Sequence, residues 1–156
     1  MTATALSKEQ SQTLGTVINK LAKDCDAKAV VICDIGGYIL ASESQTNDKS
    51  IETAAALAAG SFAATRELAG IVGEEEGFKS ICHRGVTSGV LIQALGDNFL
   101  ILVILGEKSI EGLVRLHLKK ITKQIETIVN ATQDQSVHAA GATGSFSVQE
   151  NDASKS

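Results

Sequence analysis

Apolar residues first recur with a helical spacing at Leu14, Val17, Ile18, Leu21 and Cys25. Steps of three and four residues place them on one face of a helix. Ser7-Lys8-Glu9-Gln10 just upstream has the form of a capping box, so the pattern predicts a helix over Lys8–Asp24. The period then changes. Ala29-Val30-Val31-Ile32-Cys33 is a continuous run rich in β-branched residues, as in a strand buried on both faces. Gly36-Gly37 signals a tight turn, and Tyr38–Ser42 returns as the second strand of a hairpin. After the polar stretch Glu43–Lys49, with Asp48 or Ser50 as cap, a long helix runs from Ile51 to about Val72 and ends at Gly73-Glu74-Glu75-Glu76-Gly77. Three strands follow, about Phe78–His83, Gly89–Leu95 and Phe99–Leu105, joined by short turns as in an antiparallel meander. Phe99–Leu105 is apolar on both faces and belongs at the centre of a sheet. Phe78–Arg84 carries Lys79, His83 and Arg84 and reads as an edge. Ser109 precedes a last helix with a stripe of Ile110, Val114, Leu118, Ile121, Ile125 and Ile128. From Ala131 to Ser156 the periodicity disappears, and the expectation is a flexible tail. The order α-β-β-α-β-β-β-α predicts an α+β domain over 7–130 with a five-stranded antiparallel sheet and helices on both faces. No strand-helix-strand series calls for a parallel sheet.

Composition narrows the function. The 156 residues hold 14 Lys plus Arg against 18 Asp plus Glu, a net charge of -4, with 3% aromatics. Phosphate backbones demand clustered cations and bases demand stacking partners, so nucleic acid is not an expected partner. Cys25, Cys33 and Cys82 form an odd set without metal-ligand spacing and read as the reduced thiols of a cytoplasmic protein. The N-terminus lacks a basic start and an apolar run, so no signal peptide is expected. Phe99–Leu105, the longest strongly apolar run, is too short for membrane insertion.

No catalytic constellation emerges. Cys82 and His83 are neighbours on a strand, so their side chains point to opposite faces and form no dyad. His117 sits mid-helix among leucines and reads as a partly buried structural residue. Gly36-Gly37 opens a strand rather than a helix, and no phosphate-binding loop motif is present, so no cofactor is expected. Glu74-Glu75-Glu76 reads as a solvated loop rather than a cation site.

The second helix is the informative segment. At about 100° per residue, Ile51, Ala55, Ala58, Phe62, Ala69 and Val72 share the face that packs on a sheet. The opposite face holds Thr53, Ala56, Gly60, Ala63, Ala64, Glu67 and Ile71, small and nearly uncharged where a solvated face carries Lys, Glu and Gln. Gly60 alone costs about 1 kcal/mol against Ala. Small residues admit a close backbone, either from the same chain or from another. With one sheet to cover and two other helices available, an interface with another chain is favoured.

Three segments, in this order and spacing, carry a resemblance: Asp24–Gly37, Ala56-Leu57-Ala58-Ala59-Gly60 and Gly112-Leu113-Val114-Arg115-Leu116. Over about Thr13 to Val129 the chain resembles the Roadblock/LC7 domain, profilin-like in layout, and the polar tail is most similar to the bacterial MglB-type branch. The resemblance implies a homodimer in which third strands pair, here Phe78, Lys79, Ile81 and His83, while second helices lie side by side. It also implies binding of a small Ras-like GTPase of the MglA type. GTP hydrolysis would then be stimulated by repositioning the GTPase's own groups, with no catalytic residue of this chain, in control of cell polarity and motility. Location would be cytoplasmic, with concentration at a cell pole. Arg66, on the flank of the second helix, is either an arginine finger or a rim ion pair, and the family pattern argues against the finger. The tail from Ala131 is either a passive solubilising segment or, through Phe146 and Val148 on one side of an extended strand, a further contact to the GTPase. The alternative is a Roadblock adaptor or scaffold, dynein light chain-like, without GTPase activation. A small-molecule sensor is a third class, but the aliphatic strands offer no convergent polar groups.

Overall fold

The computed structural model describes residues 6–45 and 48–131. Helix α1 spans Lys8–Asp24, strand β1 Ala27–Asp34, strand β2 Ile39–Ser44 and helix α2 Asp48–Ile71. Strands β3, β4 and β5 span Ser80–Arg84, Gly89–Leu95 and Phe99–Leu105. A third helix, α3, occupies 111–131 of the described residues. The expected element order holds.

The capping box at Ser7 is present: the Gln10 amide donates to Ser7 Oγ at 3.1 Å and the Ser7 amide donates to Gln10 Oε1 at 2.9 Å. At the β1–β2 turn, Asp34 Oδ1 accepts from the amides of Gly36 and Tyr38, both at 2.9 Å. Gly37 there has φ +91, in the region that favours glycine.

The sheet has five strands in the order β2-β1-β5-β4-β3, and every neighbouring pair is antiparallel. β5 lies at the centre, buried along its length except for the half-buried Ile104. Among the described residues β3 bonds only to β4 and forms one edge.

Two cores result, one on each face. Leu14, Ile18 and Leu21 of α1 and Val114, Leu118, Ile125 and Val129 of α3 pack on the face that includes Val30, Ile32, Ile101 and Val103. Ile51, Ala55, Ala58 and Phe62 of α2 pack on the other, against Val31, Cys33, Leu100 and Leu102. The covering is unequal. Among the described residues two helices share the first face, whereas α2 alone lies on the second and contacts β1, β2 and β5.

Several boundaries differ from the sequence reading. β3 begins at Ser80, so Phe78 and Lys79 precede the edge strand, although the Lys79 carbonyl still accepts from the Ala94 amide at 2.9 Å. α2 begins at Asp48, ahead of Ser50. Ser109 does not cap α3. Its hydroxyl donates to the Asp26 carbonyl at 2.8 Å and accepts from the Gly106 amide at 2.9 Å, tying the segment after β5 to the turn after α1. Ile110 precedes the helix and is exposed, so the stripe of α3 starts at Val114. Val72 follows the end of α2 and is exposed rather than packed on the sheet.

Candidate functional site

The second helix sets the geometry. Ile51, Ala55, Ala58, Phe62 and Ala69 are buried as their spacing predicted, together with Ala59. Thr53, Ala56, Gly60, Ala63, Ala64, Glu67 and Ile71 are all exposed. Their exposed arc also holds Leu57, 69% exposed, and Leu68, 52% exposed, which the sequence reading left out. Leu57, Ala64 and Ile71 stand seven residues apart, as do Thr53, Gly60 and Glu67. Those two series interleave at the spacing of a helix–helix seam. A Cβ built on Gly60 would meet no atom within 4 Å, so no neighbour among the described residues accounts for the missing side chain.

Ala56 differs from the rest. A Cβ on Gly37 would stand 2.9 Å from Ala56 Cα, so the β1–β2 turn already presses on the α2 backbone there. The small residue at Ala56 therefore has an intramolecular reason, whereas Gly60 meets none among the described residues.

Beside this arc lies the uncovered part of the sheet. A groove of about 380 Å³ runs between α2 and the outer strands, lined on one side by Ala54, Leu57 and Ser61 and on the other by His83, Val90 and Ile104. His83 is its one titratable group. Ile81 packs toward the same face, half-buried. Edge strand, groove and helix arc thus form one continuous surface, apolar and nearly uncharged.

Cys82 points the other way, toward α3. Its thiol is pushed up, first by burial and then by its hydrogen bond to Glu111. The Glu111 carboxyl is held below the usual range, first by its hydrogen bond with Arg115 and then by the Cys82 thiol. Arg84 and Arg115 flank it at 3.5 and 3.0 Å. Burial also raises Cys25, and it pushes Cys33 up to about 12. None of the three thiols is activated as a nucleophile.

Arg66 is folded back on its own domain. Nη2 donates to the Asp97 carbonyl at 2.8 Å, and the guanidinium carbon lies 5.4 Å from the centroid of the Phe62 ring. His117, on α3, is half-buried and lines a groove between α1 and α3 together with Asp24. Among the described residues no three His, Cys, Asp or Glu side chains are grouped to hold a metal, and no helix is long and apolar enough to cross a membrane. Phe146 and Val148, and the tail that carries them, lie outside the described residues.

Comparison with known proteins agrees with this architecture. Residues 13–105 match the model of the Roadblock/LC7 domain. The structure of Myxococcus xanthus MglB is similar at a TM-score of 0.73 with 30% identity, over 82% of this chain and 96% of that one. A gliding protein MglB from Thermus thermophilus reaches 0.77 with 24% identity, over 84% of this chain and 98% of that one. An MglB with a tetrameric arrangement reaches 0.78 with 23% identity, covering 85% and 98%. No curated protein sequence matches. Five antiparallel strands in this order, three helices split between the faces, and a family match over most of the described residues give one conclusion: the chain belongs to the Roadblock/LC7 domain family.

Proposed function

We propose that the chain is a homodimeric regulator that binds a small Ras-like GTPase of the MglA type and stimulates its GTP hydrolysis. The observation that carries the reading is the exposed, nearly uncharged arc of α2, continuous with the apolar groove at the β3 edge. Water solvates such a surface poorly, and covering Leu57, Leu68, Ile71 and the groove releases that cost. Two copies related by a two-fold axis would each present the same seam to the other. Small residues at Gly60 and Ala64 let the two helices come close, and β3 offers free backbone groups for pairing with a second β3.

The chemistry supports a regulator that rearranges its partner. Arg66 is held by Asp97 and Phe62. Arg84 and Arg115 are engaged with Glu111. An inserted arginine would have to leave these partners, so stimulation comes from repositioning the GTPase's own groups. The similarity to Myxococcus xanthus MglB supports the MglA-type partner, the role in polarity and motility, and a cytoplasmic, pole-concentrated location.

The experiment is single-turnover GTP hydrolysis by an MglA-type GTPase with this chain and with its Arg66→Ala, Arg84→Ala and Arg115→Ala variants. Each variant is expected to retain most of the stimulation. Loss of stimulation in one variant, with GTPase binding intact, overturns the repositioning mechanism.

A further inference from the structure

The face of the sheet opposite α2 holds a second groove, of about 360 Å³, between α1 and α3. Val17 and Leu21 of α1 and Ile121 of α3 supply its apolar lining. Leu21 closes the floor, and Val17 and Ile121 are half-buried. Lys20, Lys120 and His117 stand at its rim. Lys20 is engaged with Asp24 at 2.6 Å, whereas Lys120 and its exposed neighbours Lys119 and Lys123 make no ion pair among the described residues. The Ser109 hydroxyl ties the segment just before α3 to the Asp26 carbonyl just after α1, and Asp24 and His117 line the same groove, so the two helices run antiparallel. The other end of the groove, at Val17 and Gln124, therefore opens toward the end of α3.

We propose that this groove is the docking site of the chain's own segment Phe146–Asp152. The segment lies outside the described residues, and three features select it. First, Phe146, Val148, Glu150 and Asp152 alternate in sequence, so an extended chain turns all four to one side. Two apolar side chains then meet Val17, Leu21 and Ile121, and two carboxylates follow toward Lys120. Second, the charges match. Residues 132–156 hold Asp134, Glu150 and Asp152 against Lys155, whereas 111–131 hold Arg115, Lys119, Lys120 and Lys123 against Glu111 and Glu126. On the α2 side, the hollow at the end of the helix sets Glu74, Glu75, Glu76 and Asp97 against Arg66, and the lining of the groove beside Leu57 holds no lysine or arginine to pair with the carboxylates. Third, the chain leaves α3 at the open end of the groove. Residues 132–145 reach about 45 Å when extended, and the return from 131 to Gln124 is only about 10 Å of helix. A short tether gives an effective concentration in the millimolar range, so even a millimolar site is about half occupied. This inference is independent of the GTPase reading.

The test is methyl NMR on the full chain and on its Phe146→Ala variant. Far-ultraviolet circular dichroism checks that the variant keeps the fold. No Phe or Tyr lines the groove, so Phe146 alone would bring a phenyl ring current to it. Docking predicts that Phe146→Ala shifts the methyl signals of Val17, Leu21 and Ile121 and leaves those of Leu57 and Val90 in place. Glu150→Gln with Asp152→Asn should move the same three residues part of the way, and added salt should do so in the wild type. Unchanged signals at Val17, Leu21 and Ile121 overturn the proposal. So does a shift confined to Leu57 and Val90, which would put the segment in the other groove. A docked signal that disappears on dilution also overturns it, because the segment would then sit on another molecule.

Discussion

Replacing Leu57 with serine separates the fold from the interface. Leu57 is 69% exposed in the single chain, so most of its side chain is still available for burial by a second copy. Full burial of a leucine stabilises by about 1.5–3 kcal/mol, and the share still available is roughly two-thirds of that, about 1–2 kcal/mol. A two-fold interface presents the residue twice, so the dimer loses about 2–4 kcal/mol. At about 1.4 kcal/mol per factor of ten, the dimer Kd rises roughly 30- to 700-fold. Within the single chain, the covered third and the small drop in helix propensity together cost about 1 kcal/mol. Sedimentation equilibrium gives the Kd, and far-ultraviolet circular dichroism checks that the variant is folded. A folded variant whose Kd changes less than threefold would refute the placement of Leu57 in the interface. Loss of the fold at low concentration would instead show that Leu57 supports the single chain.

Gly60→Ala should act with opposite signs on fold and dimer: open space at its Cβ lets α2 gain about 1 kcal/mol, while the methyl weakens dimerisation, read by a melt under dissociating dilution and by sedimentation. Gly37→Ala should destabilise the chain by more than about 2 kcal/mol in urea titration, because φ +91 and an approach of 2.9 Å to Ala56 Cα both oppose a side chain. Glu111 has its folded-state pKa below the ordinary value, so its contribution to stability is present above the usual Glu range and is lost as pH falls through the lowered value. The melting temperatures of wild type and Glu111→Gln should accordingly converge as the pH is lowered, and a gap that widens would reverse the assignment.

Much of the fold was legible because each element kept one period. The capping box at Ser7, the alternation from helical to strand spacing and the doubly apolar β5 all reappear in the structure. Ends were harder to read. Ser109 looks like a cap in one dimension, but its hydroxyl goes to the Asp26 carbonyl, a partner 83 residues away. Phe78 carries a strand-like side chain, yet the strand starts at Ser80, because the chain first turns through Glu74–Gly77, where the Gly77 amide donates to the Glu74 carbonyl.

On α2 the small exposed face was visible as a departure from solvated composition. Leu57 and Leu68 were missed because periodicity gives the direction of a helix face and not the width of sheet beneath it. Only the lateral position of α2, over β2, β1 and β5, turns Leu57 toward an uncovered groove. A usable signal was present in the recurrence of Leu57, Ala64 and Ile71 every seven residues. The pressure of Gly37 on Ala56 was not legible, because it joins residues that no local pattern relates.

The central claim is that the α2 surface serves a GTPase-activating dimer, and one measurement addresses it most directly. An MglA-type GTPase loaded with GTP is mixed with the wild-type chain or with Leu57→Ser, at a concentration where the wild type is dimeric, and phosphate release is followed. The account predicts accelerated release with the wild type and a loss of that acceleration with Leu57→Ser, restored by raising the variant's concentration until it dimerises. Binding of the GTPase with no acceleration by the wild type would contradict the account and leave a scaffold in its place.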